Sequence, residues 1–179
     1  MQRHFDTEIL EIRQRLVRMG GIAESMIGLA LRALVQRDPG PCEEVARREH
    51  EVNDLQMEID EMAVQLTALQ QPVGSDVRFL FMAARITSEL ERIADQSVNI
   101  CQSSQHLLKH PPLKPFVDIP IMADSAQKMV RDSLEALVRK DVSIAESVLK
   151  EEDKVDAFRD QIFRELLTYM MSDPATIPR

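Results

Sequence analysis

For most of the chain the apolar residues recur at steps of four and three, the spacing of one face of an α-helix and not the alternation of a strand. From Phe5 the rhythm runs unbroken through Ile9, Ile12, Leu16, Met19, Ala23, Met26, Ala30 and Ala33. This coiled-coil-like seam predicts one very long helix over about 5–37. Asp38-Pro39-Gly40-Pro41 should end it, because neither proline can continue the hydrogen-bond ladder. A second helix, about 42–70, carries Val52, Leu55, Ile59, Met62, Leu66 and Leu69 in the same rhythm and stops at Gln71-Pro72-Val73-Gly74. Ser75 reads as the N-cap of a third helix reaching about Leu108, with Asp76 in the first turn, where negative charge is favoured. Its stripe reads as Leu90, Ile93, Ser97 and Ile100. Residues 109–118 hold Pro111, Pro112 and Pro115 and connect to a fourth helix at about 119–140. A fifth follows at about 142–171, striped by Val148, Val155, Phe158, Ile162, Leu166 and Tyr169, and Ser172-Asp173-Pro174 stops it. Long antiparallel helices joined by short breaks imply an all-α chain, with a three-helix bundle over 1–110 and a second unit over 119–179.

The second unit repeats the first. A shift of 103 residues aligns Met19 to Met62 with Met122 to Glu165 without a gap. Identical pairs include Ala23/Ala126, Met26/Met129, Leu31/Leu134, Val45/Val148, Val52/Val155 and Ile59/Ile162, and Ala33-Leu34-Val35 recurs as Ala136-Leu137-Val138. Apolar matches alone could come from any two amphipathic helices. Asp38/Asp141 and Glu49/Glu152 are polar, and they keep the same register. The shift places Asp76, at the start of the third helix, on Arg179, the last residue. The second unit is therefore expected to have two helices of three, with its stripes completed by dimerisation, by swapping or by further chain.

Composition fits this architecture. The chain has 179 residues, 44% hydrophobic and 29% charged, with only 5 glycines. Aromatics are 4% and Trp is absent, so aliphatic side chains and 10 Met must fill the core. A net charge of −8, from 22 basic and 30 acidic side chains, argues against a general nucleic-acid binder. Cys42 and Cys101 show no metal or redox spacing and suit a reducing cytoplasm. The polar N-terminus lacks a signal-peptide core, and no apolar run nears the roughly 18 residues of a membrane span. Any membrane role is expected to be peripheral, through partners.

Candidate chemistry is confined to carboxylates. Glu91 and Asp95 are four apart, one turn above each other on a helix flank roughly 100–140° from the stripe. Glu49 with Asn53, and Glu152 with Asp156, take the same offset on the second and fifth helices. Neighbouring helices could bring such pairs together as four or more oxygens around a hard or borderline cation, Mg²⁺ or Mn²⁺ included. The same pairs could equally be solvated flanks. No ExxH spacing supports a ferritin-like di-iron oxidase. His106 and His110 could bind zinc, although a cationic group at a helix end also simply suits the dipole. His50 reads as exposed and Cys42 as an inert thiol. Without a phosphate loop, nucleophile elbow or HExxH, the chain does not read as an enzyme. Two rival readings are a helical interaction module that binds no metal and a carboxylate-metal hydrolase.

Leu90-Glu91-Arg92-Ile93-Ala94-Asp95 followed by Asn99-Ile100 resembles the signature of the PhoU family of phosphate-transport regulators. His4-Phe5-Asp6-Thr7-Glu8 and Met19-Gly20-Gly21 resemble that family's first helix. Glu152-Asp153-Lys154-Val155-Asp156 and Leu167-Thr168-Tyr169-Met170-Met171-Ser172-Asp173-Pro174 resemble its second repeat. The resemblance implies tandem three-helix bundles whose ExxxD motifs hold iron or zinc clusters. Carried over, the ligands are Glu91 and Asp95, then Glu152 and Asp156, with Glu49 and with Asn53 standing where an acid is usual. It further implies a non-enzymatic cytoplasmic adaptor that restrains phosphate uptake and phosphate-starvation signalling. The implied partners are the phosphate ABC-transporter ATPase subunit, a sensor histidine kinase and a second copy in a homodimer.

Overall fold

The computed structural model describes residues 2–177, with side chains of the first helix described from Phe5 onward. The His4 side chain, part of a motif above, and Arg179, the repeat equivalent of Asp76, lie outside the described residues. Five helices follow one another: α1 (Gln2–Gln36), α2 (Gly40–Gln70), α3 (Ser75–Leu107), α4 (Asp118–Arg139) and α5 (Val142–Ser172), with a short 3-10 turn at Pro174–Thr176. Helices α1, α2 and α3 pack on one another as a bundle, and α4 and α5 form a hairpin that lies against α1. None of the helices is long and apolar enough to cross a membrane.

The seam of α1 is the axis of the bundle. Ile12, Leu16, Met19, Ala23, Met26, Ala30 and Ala33 are all fully buried, as the four-three rhythm predicts. Val45, Val52, Leu55, Ile59 and Leu66 of α2 close on them. On α3 the stripe differs from the one read in the sequence. The buried line runs Leu90, Ala94, Ser97, Cys101 and Ser104, while Ile93 is only half-buried and Ile100 is exposed. Small side chains face the bundle because they let α3 approach closely. Their hydroxyls cost little there, because Ser97 donates to the Ile93 carbonyl at 3.1 Å and Ser104 to that of Ile100 at 2.7 Å. The bulkier isoleucines are turned to the margin.

Two boundaries also move. Pro41 belongs to the first turn of α2, where its missing N–H is no loss. Ser75 is the first helical residue of α3 and not its N-cap; the cap position is Gly74, whose φ of 61° a side chain would resist.

The internal repeat is visible in the turns. Arg37 and Lys140, one repeat apart, both adopt left-handed backbone, with φ of 55° and 54°. The next amide reaches back to the end of the helix, Asp38 N to Ala33 O at 3.1 Å and Asp141 N to Ala136 O at 3.0 Å. The Asp38 carboxylate then accepts from Gly40 N at 3.0 Å, and that of Asp141 from Ser143 N at 2.9 Å. The polar match Asp38/Asp141 thus ties an amide at the start of the next helix in both halves, Asp141 as the N-cap of α5 and Asp38 from one residue before the Pro39 cap of α2, and a cation follows each preceding helix's carbonyl end.

Helices α1 and α4 meet where repeat equivalents meet. Gln127 donates to the carbonyl of Glu24, 103 residues before it, at 3.0 Å. Gly20 lies against Leu134 and Gly28 against Gln127, so the two helices run antiparallel across this point. Arg131 pairs with Glu24 at 2.7 Å. A Cβ on Gly20 would overlap Leu134 Cδ1, so any larger residue here must displace the end of that leucine, whereas Gly21 faces open space. The hairpin itself is thinly covered: only Ala136 of α4 and Ile162 of α5 are buried. Between α3 and the hairpin runs an apolar groove of about 1040 Å³.

Candidate functional site

Burial of Val52, Leu55 and Ile59 fixes the rotation of α2 and leaves Glu49 and Asn53 half-buried on one flank. Burial of Leu90 and Ala94 does the same on α3, placing Glu91 half-buried and Asp95 exposed. The two flanks adjoin. Asn53 Nδ2 donates to Glu49 Oε1 at 2.6 Å. The Glu91 carboxyl is held above the usual carboxylate range, first by burial, then by the charges of Asp95 and Glu49 and a hydrogen bond with Asp95. Four residues of the expected set therefore come together between α2 and α3.

No ion pair reaches Glu91 or Asp95 among the described residues. Arg92, the cation beside them in sequence, turns instead to Glu89 at 4.0 Å. His50 is largely exposed and stands 3.5 Å from Glu49. The donor set is oxygen, suited to a hard or borderline cation. It is not closed: among the described residues, no three of His, Cys, Asp and Glu converge as ligands of one ion. The Asn53 amide, donating to Glu49, and the hydrogen bond between Glu91 and Asp95 hold the acids of this flank.

The second pair has no such neighbours. Glu152 and Asp156 are exposed on α5, and Asp156 is paired with Arg159 at 2.7 Å. Among the described residues α5 packs on α4 and the 3-10 turn, and no helix there presents acids to this flank. These residues do not fit a metal centre as arranged here.

The other candidates resolve into local structure. The rings of His106 and His110 lie 5.6 Å apart and tilted by 56°. The Arg37 guanidinium donates to the carbonyls of Leu108 at 3.1 Å and His110 at 2.6 Å, tying the start of the connection to the first turn. Cys42 and Cys101 are both buried, and the Cys42 thiol donates to the Cys101 carbonyl at 4.0 Å. Burial, aided by the neighbouring Cys42, pushes the Cys101 thiol up to about 12, which leaves it without nucleophilic thiolate. Sequence reasoning missed the link from Thr87 on α3 to Asp60 on α2, at 3.3 Å, and the Arg13 guanidinium over the Phe79 ring, 4.4 Å from its centroid. A buried threonine one turn before Leu90 was the available signal for the first.

Comparison with known proteins agrees with this architecture. The PhoU domain family matches over residues 16–104 and 119–178. The phosphate-specific transport system accessory protein PhoU homolog of Aquifex aeolicus is 32% identical over 172 residues, covering 96% of this chain and 78% of that protein. The phosphate-specific transport system accessory protein PhoU of Escherichia coli is 33% identical over 176 residues, covering 97% and 72%. The crystal structure of PhoU from Pseudomonas aeruginosa superposes with a TM-score of 0.93 at 32% identity, covering 98% of this chain and 84% of that one.

Proposed function

The chain belongs to the PhoU family of phosphate-transport accessory proteins, which are regulators and not enzymes, and from that premise we propose that it restrains phosphate uptake and phosphate-starvation signalling when phosphate is plentiful. It acts in the cytoplasm as a homodimeric adaptor, contacting the ATPase subunit of a phosphate ABC transporter and a sensor histidine kinase. Its long helical flanks supply surfaces of the kind that helix-in-groove contacts use. Removal of the gene should raise the output of a phosphate-starvation reporter in phosphate-rich medium; an unchanged reporter would refute this reading.

The metal part of the proposal rests on one observation: Glu49, Glu91 and Asp95 adjoin, and among the described residues no cation is paired to the last two. Three carboxylates in that position repel, and a bound iron, zinc, manganese or magnesium ion would relieve the repulsion by setting a multivalent positive charge among them. Glu91 and Asp95 would be the principal ligands, Glu49 would reach across from α2, and Asn53 would offer its amide oxygen after turning from Glu49. Protein purified without chelators should carry metal, and the Glu91→Gln/Asp95→Asn variant should lose it. A Glu152→Gln/Asp156→Asn variant should keep its metal, since those residues lack facing acids.

A second reading is favoured by the open geometry. With no three ligands converging among the described residues, the same flank also suits an interaction module that uses its acids against a basic partner surface. Wild-type protein without metal, and unable to take it up, would select that reading.

A further inference from the structure

We propose that Cys42 and Cys101 form a site of reversible oxidation, closing to an intrachain disulfide between α2 and α3 when the protein meets a hydroperoxide. The chain holds only these two cysteines, 59 positions apart, yet they face each other across two helices. Both are buried, the Cys42 thiol donates to the Cys101 carbonyl at 4.0 Å, and the two thiols lie within hydrogen-bonding reach of each other. A disulfide joins short side chains and therefore needs backbones that lie close. The line of small residues on α3, Ala94, Ser97, Cys101 and Ser104, supplies that approach. The turn itself does not call for sulfur, because the repeat equivalent of Cys42 is Ala145.

The two sulfurs have different parts. Cys42 lies in the first turn of α2, behind Pro41, and its N–H donates to the Pro39 carbonyl at 3.0 Å. Terminal turns open more readily than helix interiors, so this sulfur is the one a small oxidant reaches. Cys101 sits inside α3, where burial, then a hydrogen bond with Cys42 and the charge of Cys42, keep its thiol protonated. Cys42 therefore reacts first. Its sulfur bonds to one peroxide oxygen, the O–O bond breaks, and the departing hydroxide takes the thiol proton and leaves as water. The product is a sulfenic acid at Cys42.

That step removes the Cys42 charge that helps to hold the Cys101 proton. Cys101 Sγ then bonds to Cys42 Sγ, the S–O bond breaks, and the hydroxyl leaves as water with the Cys101 proton. Two thiols are oxidised to one disulfide while one peroxide is reduced to two waters. Cys101 offers little thiolate, and its fixed place beside the sulfenic sulfur offsets that. Exchange with a small thiol reopens the bond, so a reducing cytoplasm keeps the pair open at rest. Cys42 and Glu49, like Asp95 and Cys101, are roughly 10 Å apart along their helices. The closed bond fixes the spacing of α2 and α3 about two turns from the acid flank.

Treating the reduced 179-residue chain with hydrogen peroxide tests this. After denaturation both thiols should be lost to Ellman's reagent, and the mass should fall by two hydrogens. A proteolytic peptide pair joined through Cys42 and Cys101 should appear, and a reductant should return both thiols. The rate should not depend on protein concentration. The oxidised form should have the higher thermal midpoint, because a closed loop restricts the unfolded chain. Cys101→Ser should stop at a Cys42 sulfenic acid that dimedone traps, whereas Cys42→Ser should keep its thiol under the same treatment. Should either variant lose its helical circular dichroism, the joined peptides of the wild type decide alone. Two intact thiols, oxidation that ends in sulfinic acid, or a disulfide formed only between chains would overturn the proposal.

Discussion

The α1–α3 bundle and the α4–α5 hairpin are written in the same residues, yet those residues do different work. Met26 is fully buried and Met129 half-buried. Val52 is fully buried, and Val155 lines a groove. The difference is not in the two helices themselves, whose turns share a left-handed residue and an amide that reaches back to the helix end, but in what lies across them. Burial is a property of an assembly of stripes, and a pattern that promises a core delivers one only where a third helix closes it.

The sharpest way to break this comparison is to truncate equivalent positions. Met26→Ala should cost about 2–5 kcal/mol of stability, the range for removing a fully buried methionine. Met129→Ala, measured by urea denaturation at dilute concentration, should cost roughly 1 kcal/mol or less, because much of its surface is already wet. Equal losses would mean that the hairpin has a closed core after all.

Next in size is the contact that joins the two parts. Gly20→Leu places side-chain atoms into the space held by Leu134, and overpacking of that kind costs about 1–3 kcal/mol. Its neighbour Gly21 meets nothing within 4 Å, so Gly21→Ala should stabilise by about 0.5–1 kcal/mol through helix propensity alone. If both changes stabilise, α4 is not seated on α1 as described.

A smaller effect tests the shared turn. Asp38→Ala and Asp141→Ala each remove a carboxylate that accepts from an amide at the start of the next helix, and both should lower the thermal midpoint by similar small amounts. Hydrogen bonds from Ser143 hold the Asp141 carboxyl below its ordinary value of 3.8. Its contribution is therefore present above about pH 4 and lost as pH falls through the lower folded value. Unequal effects at neutral pH would show that the repeat is only approximate here.

The smallest effect belongs to the acidic face. The Glu91 carboxyl is raised above its ordinary value of 4.5, so the folded state binds its proton more tightly than the unfolded chain does. Ionised Glu91 therefore burdens the fold at neutral pH. Metal-free Glu91→Gln should gain about 0.2–0.5 kcal/mol at pH 7, as for like charges one turn apart. The gain should vanish below about pH 4.5, where the wild-type group is neutral as well. A loss of stability at pH 7 would mean that Glu91 makes a favourable contact not described above.

Most of the architecture was legible because long seams leave little choice. A stripe from Phe5 to Ala33 cannot be anything but one helix, and Pro39, Pro111 and Pro112 mark where chains must turn. The flank positions of Glu49, Asn53, Glu91 and Asp95 followed from the same period. Sequence failed where size mattered more than polarity. Ile93 and Ile100 outrank Ala94 and Cys101 in hydropathy, yet close packing of α3 selected the smaller pair. Nor could a period show that Gly20 and Gly28 admit Leu134 and Gln127, a contact between residues more than 95 positions apart. For the same reason Glu152 and Asp156 looked equivalent to Glu91 and Asp95 in spacing, although only the latter pair faces another acid.

The contact between Glu24 and Gln127 has one further consequence. Those residues are each other's counterpart, so they sit where an axis relating the two halves must pass. Away from that axis a residue and its counterpart never meet, and identical choices such as Asp38 and Asp141 can persist indefinitely. On it a residue meets its own twin, the Gln127 amide donating to the Glu24 backbone carbonyl while the Glu24 carboxylate turns to Arg131. The link runs one way only, from glutamine to the glutamate's backbone, so two alike halves joined face to face use the same position differently on the two sides of the join.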